Sequence, residues 1–112
     1  MGDKPAYLGE FEQLLLLAIL QAGEDAYTIP LRRVLQERAG RTVARGALYT
    51  SLDRLERKGL VRSWMGEPTA VRGGRARRYF AVTEDGVTAL RAARVAMRTL
   101  SEGLESVLEP RP

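Results

Sequence analysis

The sequence predicts a mainly α (α+β) chain, a winged helix-turn-helix followed by a long C-terminal helix. Three observations carry that prediction. Three segments with apolar residues at helical spacing come first. They are followed by a change to strand-like alternation on either side of a basic, Gly-containing loop. A last helical segment then carries apolar residues on a narrow seam. The expected division is 1–82 for the winged helix-turn-helix and 83–112 for the C-terminal helix and tail.

The chain has 112 residues, the length of one ordinary domain. The first helix is expected from Gly9 to Ala22, apolar on more than one side through Phe11, Leu14, Leu15, Leu17, Ala18 and Leu20, and therefore central. Gly23 is its stop. The second runs from Thr28, read as its N-cap, to Arg38, with Pro30 in the first turn and Gly40 after its end. Ile29, Leu31, Val34 and Leu35 form its apolar side. The third runs from Ala44 to Lys58 and turns Ala47, Leu48, Leu52 and Leu55 to the core, with Gly59 as C-cap signal. Leu60 to Met65 and Arg77 to Val82 read as the two strands of a hairpin, with a loop from Gly66 to Gly74 between them. From Thr83 to Leu108 a single helix is expected. Leu90, Ala93, Met97, Leu100, Leu104 and Val107 recur at spacings of 3, 4, 3, 4 and 3, the pattern of a dimer seam. Gly103 interrupts it.

Charge is unevenly placed. Residues 1–30 carry −4, residues 31–82 carry +9 and residues 83–112 carry −1, which sum to the net +4. A positive field concentrated in the middle of the chain attracts a polyanion to one face, with nucleic acid the usual partner. The chain has no cysteine and no histidine. That excludes disulfides, Cys/His zinc sites, thiol nucleophiles and histidine acid–base chemistry. No catalytic residue, metal site or cofactor is expected. The longest apolar run, Leu14 to Leu20, is seven residues, far short of the roughly 20 a membrane span needs. No membrane partner and no signal peptide are expected, and the cytoplasm is the expected location.

Within this frame the third helix is the candidate for the major groove and the hairpin for the flank. Small residues at its start, Ala44, Gly46 and Ala47, let backbone N–H groups approach phosphate. Arg45, Tyr49, Thr50 and Arg54 follow, with Arg54 the first candidate for a base contact. The wing carries Arg72, Arg75, Arg77 and Arg78, of which Arg72 and Arg78 are read as adding non-specific attraction. Asp53 and Glu56 are expected to pair with Arg57 or neighbouring arginines at helical spacing. Trp64, the sole tryptophan, either packs against the third helix or the dimer arm, or lines a pocket for a small hydrophobic or aromatic effector.

The stretch from Leu8 to Gly86 resembles the PadR family of bacterial transcriptional regulators. The resemblance lies in Gly9-Glu10-Phe11-Glu12-Gln13-Leu14, in Tyr27, and in Gly46-Ala47-Leu48-Tyr49 followed by Leu52, Arg54, Leu55, Glu56, Gly59 and Leu60. It continues in Gly74, Arg75, Arg77, Tyr79 and Phe80 and in Thr83-Glu84-Asp85-Gly86. It implies a homodimeric repressor on double-stranded DNA, of the short subfamily whose single C-terminal helix is the dimer arm. Where the family often has Ser and Thr, this chain has Ala44 and Ala47, which moves the expected helix cap to Thr42. The alternatives are a winged-helix module that docks on protein and a non-specific binder of RNA or anionic surfaces.

Overall fold

The computed structural model describes residues 7–67 and 76–110. Helix α1 spans Glu10–Ala22. Gly9 precedes it in extended conformation, and its N–H donates to Glu12 Oε1 at 3.0 Å. This leaves one fewer orphan donor at the helix start. Leu15, Leu16, Ala18 and Ile19 are buried, and α1 touches α2, α3, α4 and the hairpin. It is the central helix that its many-sided apolar pattern predicts. After a 3-10 turn at Gly23–Asp25, Ala26 is buried, and its carbonyl accepts the Phe80 N–H at 2.9 Å. That bond ties the later hairpin to the approach to α2.

Helix α2 spans Thr28–Ala39 and stops at Gly40, whose φ of 66° places it in the left-handed region. There the Arg41 N–H reaches back to the Leu35 carbonyl at 3.0 Å. Tyr27, not Thr28, is the N-cap. Thr28 is the first helical residue and is buried, its hydroxyl taken up by Tyr49. Ile29, expected on the apolar side, is 59% exposed.

Helix α3 spans Arg45–Arg57 with Ala44 as its N-cap and no side-chain cap bond, so the cap does not move to Thr42. Leu48, Leu52 and Leu55 are fully buried. Ala47 is exposed instead of facing the core. One residue turns a helix by about 100°, which carries position 47 off the stripe of 48, 52 and 55.

Strands β1 (Val61–Met65) and β2 (Arg78–Val82) pair antiparallel, from Val61 opposite Val82 to Met65 opposite Arg78. Each is one residue or so shorter at its start than the alternation suggests. Leu60 lies before β1 but is buried in the core. The inner face brings Val61 and Phe80 into the core, while the outer face carries Arg62, Trp64 and Tyr79.

Helix α4 spans Glu84–Ser101. The Thr83 hydroxyl accepts the Gly86 N–H at 3.0 Å and donates to the Gly59 carbonyl at 2.7 Å. One side chain thus caps α4 and fastens it to the end of α3. The single helix expected to Leu108 is broken. Glu102 leaves the helix, Gly103 adopts φ +84°, and a short α5 covers Glu105–Leu108. Gly103 is the cause, since glycine enters this region at no steric cost. Only the first turns of α4 pack on the domain. Ala89 and Leu90 are buried, whereas Val95, Met97 and Leu100 are 48%, 64% and 79% exposed.

Candidate nucleic-acid interface

The buried stripe of α3 turns the opposite side of the helix outward. Arg45, Gly46, Ala47, Thr50 and Arg54 are all exposed there, with Arg57 at the far end. Among the described residues Arg54 makes no ion pair. Arg45 lies over the Tyr49 ring at 5.9 Å from its centroid. The Thr50 hydroxyl donates to the Gly46 carbonyl at 3.0 Å, which leaves its oxygen free to accept. Nothing lies within 4 Å of where a Cβ on Gly46 would stand. The smallness of this residue is therefore not demanded by packing within the chain. Together with the free first-turn N–H groups and Arg45, it makes an open, positive helix end suited to an anion.

Tyr49 differs from its neighbours on α3. It is half-buried against the core, and its hydroxyl stands 2.6 Å from the Thr28 hydroxyl. It joins α3 to the first turn of α2. The loop between α2 and α3 has a second brace, from Arg32 Nε to the Val43 carbonyl at 3.0 Å. The sequence held no periodic signal for either contact, because each joins residues on different elements.

On the hairpin, Arg77 is exposed and stands over the Tyr27 ring, 4.4 Å from its centroid. A cation–π contact orients the guanidinium without neutralising it, so its N–H groups stay available to phosphate. Arg72 and Arg75 lie outside the described residues. Arg78 is not a free surface cation. It forms ion pairs with Asp53 at 3.1 Å and Glu56 at 2.7 Å. The two carboxylates therefore pair across the fold to β2 and not with Arg57 along α3.

Trp64 lies on the outer face of β1 and stacks on Tyr79, with ring centroids 6.1 Å apart, while Arg62 lies over it at 4.7 Å. It remains 42% exposed and borders an open groove of about 570 Å³ with Gly23, Glu24, Glu67 and Tyr79. Along the expected dimer seam, Leu90 is spent in the core of its own chain and Ala93 packs at its margin. Met97, Leu100, Leu104 and Val107 are exposed.

Glu12 and Lys58 form an ion pair that the sequence did not single out, at 2.7 Å beneath the end of α3. Burial opposes ionisation of the Glu12 carboxyl. Its bonds from Lys58 and the Gly9 N–H, with the nearby charges of Lys58 and Arg54, outweigh that and hold its pKa below the ordinary value. Among the described residues no group of three or more acidic, His or Cys side chains is placed to hold a metal. No described helix is long and apolar enough to cross a membrane.

Residues 16–92 match the sequence model of the transcriptional regulator PadR-like family. Solved structures give the same answer for the fold. A PadR-like transcription factor from Bacteroides fragilis is similar at 26% identity and TM-score 0.68, over 87% of this chain and 88% of that one. A PadR family transcriptional regulator from Eggerthella lenta is similar at 27% identity and TM-score 0.66, over 91% and 88%. A PadR family transcription regulator from Clostridium difficile shares the fold at 23% identity and TM-score 0.70, over 88% and 98%. Among curated proteins there is no significant match to the sequence.

Proposed function

Since the chain belongs to the PadR-like family of transcriptional regulators, a family of regulators and not of enzymes, we propose that it acts as a homodimeric repressor on a pseudo-palindromic operator. In this reading α3 enters the major groove, with Arg54 at a base edge and Thr50 and Arg45 beside it. Gly46, Ala47 and the first-turn N–H groups of α3 meet phosphate. Arg77, held over Tyr27, meets the flanking backbone, as do Arg72 and Arg75. Tyr49 positions α3 through Thr28 while its exposed edge faces the same phosphates. The observation that carries the reading is the outward face of α3, where Arg45, Gly46, Ala47, Thr50 and Arg54 are exposed together and, among the described residues, Arg45 and Arg54 form no ion pair.

The dimer rests on the arm. The radius of gyration is 16.3 Å, against about 13 Å for a compact chain of this length. The excess reflects a helix that leaves its own domain with Met97, Leu100, Leu104 and Val107 exposed. A second copy burying the same residues satisfies them by two-fold symmetry. Half-sites then fall about one helical turn apart, roughly 34–36 Å. Occupation of a promoter by such a dimer blocks polymerase. A small hydrophobic or aromatic effector is read into the groove beside Trp64, which is 42% exposed there.

The test is fluorescence anisotropy on the promoter duplex of the protein's own operon beside a scrambled duplex, across a salt series. A target preference of about 10³-fold or more with two chains per site is expected. Arg54→Ala should relax sequence preference by about 1–3 kcal/mol at one position, while Arg77→Ala should weaken both duplexes alike and lower the salt slope by about 1. Equal weak binding to both duplexes by the unaltered chain would leave only a basic surface.

A further inference from the structure

Arg78 uses all three of its guanidinium nitrogens inside the chain. One terminal nitrogen faces Asp53 at 3.1 Å and the other faces Glu56 Oε1 at 2.7 Å. Nε donates to the Ser63 hydroxyl oxygen at 3.2 Å, and that hydroxyl in turn donates to the Glu56 carboxylate at 2.9 Å. The guanidinium carbon stands 5.0 Å from the centroid of the buried Phe80 ring. The contacts thus join α3, β1 and β2 at one point.

That point is at the far end of the hairpin. Met65 opposite Arg78 is the last pair of the ladder before the wing loop, and Val61 opposite Val82 is the first. The near end is held by the core through Val61 and Phe80 and by the Thr83 N–H on the Leu60 carbonyl at 3.0 Å. Without Arg78, the described polar contacts from the hairpin to α3 reduce to the Ser63 hydroxyl on Glu56, at mid-ladder, and the last pair of the ladder has none. Asp53 and Glu56 are also the only acidic residues of α3. Left bare, two carboxylates on a groove-entering helix would repel the phosphate backbone.

We propose that Arg78 is a specificity-setting positioning residue: it locks the wing to the recognition helix and is withheld from DNA by Asp53 and Glu56. The inference rests on α3 being the DNA-reading helix. Discrimination is a difference of affinities, so restraining non-specific attraction raises it as surely as adding a contact. A guanidinium spent on two carboxylates adds no phosphate contact on random sequence. A wing held at a set angle to α3 requires the groove and its flank to fit together. Duplexes of the wrong shape then forfeit one set of contacts or must deform.

The sign of the effect separates this role from simple support of the fold. Asp53→Asn with Glu56→Gln removes the two negative charges and releases Arg78. Affinity for a random duplex should then rise, its salt slope should steepen by about 0.9 for the one added phosphate contact, and the operator-to-random ratio should fall tenfold or more. Asp53→Asn alone keeps the Glu56–Ser63–Arg78 bonds, remains folded, and should move both readings the same way by less. Arg78→Lys keeps the charge but offers one point in place of three, and should also lower the ratio. Trp64, on β1 and the sole tryptophan, reports hairpin packing in each variant by its emission. An unchanged ratio and slope in the double variant, or equal losses on both duplexes, would overturn the proposal and leave the DNA reading standing. Failure of the unaltered chain to prefer any operator would overturn the DNA reading, and the proposal with it.

Discussion

The hydroxyls of Thr28 and Tyr49 stand 2.6 Å apart and join the first turn of α2 to the exposed helix α3. Thr28 is buried, so its hydroxyl has no water to turn to if Tyr49 loses its own. Tyr49→Phe should lower stability by about 1–3 kcal/mol. Thr28→Val with Tyr49→Phe should restore part of that, because both partners of the bond are then apolar. Urea unfolding of the two single variants and the double gives the coupling. Strict additivity would mean that the bond contributes nothing.

Gly86 is required by contact and not by backbone angle. A Cβ there would stand 2.2 Å from the Leu60 carbonyl oxygen and 2.6 Å from Val82 Cγ1. Neither the backbone oxygen nor the strand behind it can yield without moving the start of α4. Gly86→Ala is expected to destabilise by about 1–3 kcal/mol, despite alanine's higher helix propensity. Thermal unfolding measures it, and a rise in Tm would show that α4 is free to shift.

Acid should act on the Glu12–Lys58 pair. The folded-state pKa of Glu12 lies below its ordinary value of 4.5. Its contribution to stability is therefore complete above the unfolded-state pKa and is lost as pH falls from there through the folded-state pKa. Glu12→Gln should be less stable than the natural chain at neutral pH, and the gap should shrink as pH drops below about 4.5. A gap of constant size across that range, in urea titrations at each pH, would contradict it.

Two leucines of the C-terminal helix should behave in opposite ways. Leu100 is 79% exposed and Leu90 only 5%. Leu100→Glu is expected to give a folded monomer by sedimentation, with weakened operator binding, because in the proposed dimer its charge would meet the seam of the second copy. Leu90→Ala instead removes a core side chain and should cost about 2–5 kcal/mol of stability within each chain. A dimeric Leu100→Glu chain would move the interface elsewhere.

Much of the site was legible because it lies within single elements. The stripe of Leu48, Leu52 and Leu55 dictates which side of α3 is buried, and hence that Arg45, Thr50 and Arg54 face outward. The same logic reached Gly40 and Gly59 as helix ends, the hairpin and the cap at Thr83. It misplaced Ala47, which sits one residue off the stripe. It also extended the last helix across Gly103, where a continuous heptad pattern concealed a backbone break.

By itself, then, the amino-acid sequence determined the order of the three helices, the hairpin and the helix after it, the main buried stripe of each helix, and the family to which they belong. Periodicity and turn chemistry are properties of neighbouring residues, and they need no knowledge of the rest of the chain. Only the tertiary structure decided which polar groups are already spent. Arg78 looked like one more wing cation, yet it closes on Asp53 and Glu56, 25 and 22 residues earlier. Tyr49 stands in the sequence among the candidate DNA contacts, yet its hydroxyl meets Thr28, and Leu90 looked like part of a seam, yet it fills its own core. Long-range ion pairs and hydrogen bonds depend on where the chain returns to itself. That is set by the packing of α3 against the hairpin and has no period to read.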